Sequence, residues 1–243
     1  REVMEPIKSR ADEFARDLSE LLTAFVSSDV RFGVEQHQPK NVAAPTQMVI
    51  QPEKTMALLV EGRKLLSLEI RFYCQMDQER EFLAVARSQI AVHAGDSPLG
   101  EPMFRYEYER AARNKPVAHL QVHGHSDRFT TLLTLAKGHR RKKSQDPFEA
   151  TCMARLHFPL GGHRFRPGVE DVLEMVQREF AVKTPAEWEA LRDRHREKYR
   201  RAQTAAAVRD CPSAAVEALE RLGFSVEWPV DTPSERTDRL TAY

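Results

Sequence analysis

The run KLLSLEIRFYCQM, residues 64 to 76, constrains the fold more than any other stretch. Leu66, Leu68, Ile70, Phe72, Cys74 and Met76 alternate with Ser67, Glu69, Arg71 and Gln75. An extended chain sends two such sets to opposite faces, so the spacing predicts a long, half-buried strand. VRFGVEQH alternates Val30, Phe32 and Val34 with Arg31, Gly33 and Glu35, a second strand. After a turn at MDQER, EFLAVARSQIAVHAG is expected to pair back as a hairpin, with helix as the alternative its alanines allow. Gly95, Pro98, Gly100 and Pro102 then break the chain, and further strands are expected at MFRYEYER, 117–125, 129–136 and 152–158.

Helical spacing governs the two ends. Ile7, Phe14, Leu18, Leu21, Leu22 and Phe25 form one stripe in EPIKSRADEFARDLSELLTAFVSS. Val169, Val172, Leu173, Val176 and Phe180 do the same in PGVEDVLEMVQREF, with Pro167 suited to a first helical turn. A further helix is expected over TPAEWEALRDRHREKYRRAQTAAAVRD, with Thr184 as N-cap, Pro185 next and Glu187 completing a capping box. PSAAVEALERLG should stop at Gly223, and FSVEWPV reads as a short terminal strand. Helix, antiparallel strands and helices in that order predict an α+β fold: an antiparallel sheet with helices on one face and a helical C-terminal extension. The boundary expected near Lys183 divides a core domain, 1–183, from the extension, 184–243.

Charge selects no partner class, because 37 Lys and Arg balance 36 Asp and Glu to a net +1. No apolar run approaches the roughly 20 residues of a membrane span, and the charged opening REVMEPIKSRADEF leads to the expectation of no secretory signal. Cys74, Cys152 and Cys211 are scattered and odd in number, which fits a reducing compartment, so a cytoplasmic location without membrane contact is expected. Cys74 and Cys152 are expected to face the core.

Three histidines crowd into PVAHLQVHGHSD. If 117–125 is extended, His119, Gln121, His123 and His125 share one face and Ala118, Leu120 and Val122 the other, with Gly124 as a bend. The same alternation puts Arg105, Glu107 and Glu109 on the polar side of their strand, and Arg155 and His157 on that of theirs. Sequential strands are usually neighbours, so these residues should form one patch. His123, His125, His157, Arg105 and Glu107 are the candidate catalytic set. Two imidazoles can act as general acid and base near neutrality while an arginine binds phosphate. That is a kit for cleaving RNA without metal or other cofactor. Alternatively, His123, His125, His157 and Glu107 could hold zinc, manganese or iron, although zinc-finger spacing and HExxH are both missing. The bland alternative is a hydrogen-bonded sheet face with no chemistry.

The loop KGHRRKKSQDP carries Lys137, Arg140, Arg141, Lys142 and Lys143. Arg140, Arg141, Lys142 and Lys143, with Arg155, are the candidate contacts to RNA or another polyanion, and an acidic protein would suit them equally. The charges of RDRHREKYRRAQ read instead as the wet side of a helix whose inner stripe is Trp188, Leu191, His195, Tyr199 and Ala202. FPLGGHRFRP lacks the GK[ST] of a P-loop, and Gly161 and Gly162 are expected to turn between two short strands.

FRYEYER, HLQVHGH and LHFPLGGHRFRPGVEDVLEMVQREF, in that order, resemble the TumE-like toxin proteins of prokaryotic toxin–antitoxin pairs, over about residues 102 to 180. His123 and His125 match their His-x-His segment, and Phe165 the aromatic residue before their final helix. The usual Tyr-Asp-Asn type of motif stands here as Tyr106, Glu107 and Tyr108, and a long basic insertion separates the halves. The resemblance implies a toxin-like or defence role and a protein partner, an antitoxin or another complex subunit. Three readings follow: a metal-independent ribonuclease, a non-catalytic protein- or nucleic-acid-binding component, and a metal-dependent enzyme on the same histidines.

Overall fold

The computed structural model describes residues 4–38, 45–77, 82–135 and 152–243. The alternating run forms β4 (Arg63–Met76), the spine of an eight-stranded antiparallel sheet. β5 (Leu83–Ala94) pairs back along it as the hairpin reading expected. Its alanines do not make a helix, because Ala91 is sealed between Glu69 of β4 and Arg105 of the next strand. MDQER lies largely outside the described residues. β1 (Phe32–His37) pairs with β2 (Gln47–Pro52), β2 with β4, and β3 (Met56–Val60) also with β4. Past β5 the order continues through β6 (Phe104–Glu109), β7 (Ala118–Val122) and β8 (Phe158–Pro159). β2 and β3 are additions to the sequence reading, since QMVIQP and MALLV are short and lack clean alternation.

Six helices accompany the sheet among the described residues: α1 (Met4–Val26), α2 (Asp127–Leu135), α3 (Val169–Phe180), α4 (Trp188–Asp210), α5 (Pro212–Arg221) and α6 (Thr237–Leu240). α1 lies on the apolar face, where the Phe14 ring meets Phe72 edge-on at 5.0 Å between centroids. Leu66, Leu68, Ile70, Phe72 and Cys74 of β4 are buried there, as alternation requires. α3 adds Val172, Leu173 and Val176 to the same core. α4 adds Trp188, whose indole packs 4.8 Å from Phe25. No described helix is long and apolar enough to cross a membrane.

Several local expectations are corrected. The segment expected as a strand at 129–136 is helix α2 as far as Leu135, because Phe129, Leu132 and Leu133 recur at helical spacing behind Asp127, a favourable first-turn charge. The strand at 152–158 is a 3-10 turn, Met153–Arg155, and only Phe158–Pro159 pairs with β7. Proline has no N–H to extend that ladder, and Phe158 and Cys152 are not core residues. After Gly161 and Gly162, both at positive φ, Phe165 N–H returns to Gly161 O (3.1 Å), so HRF is a turn and not a second short strand. Pro167 precedes α3 instead of opening it. The capping box at Thr184 does not form: Gln177 Nε2 donates to the Thr184 hydroxyl (2.7 Å), and α4 begins at Trp188. FSVEWPV is irregular, with Trp228 and Val230 exposed.

Candidate functional site

Sheet register assembles a polar cluster on the face away from α1. Glu107 of β6 stands opposite His119 of β7, and Arg105 opposite Gln121. His119 is fully buried. Its Nδ1 faces the Pro116 carbonyl at 2.8 Å and its Nε2 the Glu107 carboxylate at 3.0 Å. Burial raises the Glu107 carboxyl, but the His119 bond and the nearby Arg105 and Lys115 charges outweigh it and hold Glu107 down to about 2. Arg105 Nε donates to Gln121 Oε1 (2.7 Å), and Gln121 Nε2 donates to Ala154 O and to His157 Nε2 (3.0 Å each). The His157 ring lies 4.7 Å from that of His119, edge to face. Burial, with the charges of His119 and Lys115, lowers the His157 pKa, so this ring is neutral near pH 7.

Of the candidate catalytic set, Arg105, Glu107 and His157 come together, joined by His119 and Gln121. His125 does not join them. The ladder ends at Val122, and the His125 side chain, 80% exposed, pairs with Asp127. The expected strand over 117–125 is thus cut short by three residues, around Gly124. His123 also lies beyond the ladder. Burial lowers its pKa, and the Glu101 carboxylate lies 3.8 Å from its Nδ1. Arg155 is exposed on the 3-10 turn. Arg140, Arg141, Lys142 and Lys143 lie outside the described residues. Among the described residues, no three His, Cys, Asp or Glu side chains are arranged to hold a metal ion, so the proposed His123, His125, His157 and Glu107 set does not converge.

The other face holds a site that sequence reasoning missed. A cavity of about 350 Å³ opens between the apolar side of the sheet and the helices. Phe72, Ser88, Ile90 and Tyr106 make its floor; Phe14 and Leu18 of α1, Tyr199 and Gln203 of α4 and Glu170 of α3 close it. Glu170 is only 7% exposed. Burial raises its pKa, and among the described residues the carboxyl takes a hydrogen bond from its own backbone N–H. It folds back over Gly168, where an added Cβ would lie 2.4 Å from Oε2 and 3.0 Å from the Tyr199 ring. Gln203 Oε1 is buried without a partner among the described residues. Tyr108, by contrast, donates to His163 Nδ1 (3.0 Å) and carries the Arg166 guanidinium over its ring at 3.9 Å. Burial and the flanking Arg239 and Arg164 charges push His163 down to about 4, so it accepts that bond as a neutral ring.

The chain matches no family model, no curated protein and no solved structure.

Proposed function

We propose that the protein works by binding a small molecule in the cavity between sheet and helices. The observation that carries this is a mostly apolar hollow of ligand size, about 350 Å³, in which the buried Gln203 Oε1 has no partner among the described residues and the Glu170 carboxyl is buried. Ligand sites combine a concave apolar lining with a few placed polar groups. Buried polar groups are otherwise nearly always paired. The histidine cluster fits binding better than catalysis: both nitrogens of His119 and the Nε2 of His157 are already engaged within the protein. Ala202, exposed on α4 at the cavity mouth, provides the test. Ala202→Trp should plug the opening without disturbing the fold. Small aromatic fragments screened by saturation-transfer NMR are expected to bind the native chain and to lose binding in the plugged variant. Binding that is absent from the native chain, or unchanged by the plug, would end the proposal.

A second reading, cleavage of RNA at the His157 patch, draws on the 4.7 Å pairing of the His119 ring with the His157 ring, whose pKa is lowered, beside Arg105 and Lys115. It is also the activity nearest the toxin-like role that the TumE resemblance implies. RNA degraded in the presence of chelator by the native chain, and left intact by a folded His157→Ala variant, is the result this reading requires.

A further inference from the structure

The unsatisfied groups of the cavity specify what kind of ligand they would accept. Glu170 is the deepest charged side chain in its wall, and Gln203 contributes a carbonyl oxygen with no donor among the described residues. Both are acceptors. Glu170 stands in the first turn of α3, where the helix dipole favours a negative charge. That field and the charges of Arg196 and Arg200 only partly offset burial, which keeps the Glu170 pKa raised. The same cavity is lined by the rings of Phe14, Phe72, Tyr106 and Tyr199, whose faces attract cations. The cations that line the cavity are engaged or outside: Arg166 on Tyr108 and the His163 carbonyl, Lys198 on Asp17, and Arg10 exposed on α1. A ligand carboxylate or phosphate would meet Glu170 with like charge.

Resting on the cavity as the binding site, we infer that its ligand is a small hydrophobic amine, seated with its ammonium on Glu170 and the Gln203 carbonyl and its apolar body against the aromatic floor. By liquid-water volume the space holds roughly a dozen non-hydrogen atoms, which suits an arylalkyl amine and excludes a nucleotide or a long lipid.

The test is a calorimetric titration at neutral pH with three probes of one shape: 2-phenylethylamine, 2-phenylethanol and phenylacetate. The amine is expected to bind about tenfold tighter than the alcohol, the scale of one charge-assisted hydrogen bond, and the carboxylate weakest. Glu170→Gln keeps the shape and removes the charge, so it should erase the preference for amine over alcohol. Gly168→Ala, which displaces the carboxyl, should act in the same direction and covers the case in which the first variant is unstable. If amine and alcohol bind equally to the native chain, or Glu170→Gln leaves their ratio intact, the amine assignment falls while the cavity reading stands. If none of the three binds and the fragment screen is also empty, both fall together.

Discussion

Glu107 and Glu170 are two carboxyls whose surroundings drive them in opposite directions, and the contrast can be measured. Glu107 is held down to about 2, so the unfolded chain binds its proton first as pH falls. Its stabilisation is complete above the ordinary carboxyl pKa and fades as pH drops towards 2. Glu107→Gln should therefore cost about 2 kcal/mol at neutral pH, and urea titrations from pH 7 to pH 2.5 should show the difference shrinking through the acid range. Glu170 is raised by burial, so its ionisation opposes folding once pH exceeds the ordinary carboxyl range. Glu170→Gln should raise the melting temperature at neutral pH and lose that advantage below pH 4. Arg105, Glu107, His119 and Gln121 were legible in the sequence, because alternation alone puts them on one face and register does the rest. His125 was misread, because parity holds only while the ladder continues. Glu170 and Gln203 left no trace, since a carboxylate in a helix's first turn and a glutamine on its side read as solvated.

At the scale of elements, the long alternating and amphipathic segments were legible and the short ones were not. β4 and α1 carry enough repeats for one period to win, whereas β8 is two residues long and depends on pairing with β7. The turn before α3 separates two kinds of glycine requirement. Gly161 has φ +64°, and an added Cβ would lie 2.6 Å from the Phe165 carbonyl oxygen. Gly162 has φ +63°, but its nearest neighbour, the Ala242 carbonyl oxygen, is 4.0 Å away. Gly162→Ala should cost about 1 kcal/mol, the penalty of left-handed backbone alone. Gly161→Ala should cost more, about 2 to 3 kcal/mol, because backbone must also move. Urea unfolding of the two variants side by side measures the difference, and equal costs would mean that the turn absorbs the contact freely.

For the whole molecule, the sharpest question is whether the chain divides near Lys183. α4 keeps its expected inner stripe at Trp188, fully buried against Phe25 of α1, and at His195, but loses it at Ala202, which is exposed. Its charges also reach inward as well as out. Arg196 pairs with Asp171 and Glu174 of α3, Arg192 with Glu174, and Arg194 and Lys198 with Glu20 and Asp17 of α1. The exposed pairs contribute little singly. Burying an indole and a phenyl ring against each other contributes several times more, roughly 2 kcal/mol for each ring. Removing residues 184–243 would strip the cover from Phe25 and from the cavity, leaving an apolar strip of α1 and α3 facing water. Such a fragment is expected to bind hydrophobic dyes and to lose the cooperative thermal transition of the full chain. A fragment 1–183 that melts cooperatively near the full chain's temperature would show that the sheet and α1 fold without α4, and that the C-terminal helices are an attachment to a finished core.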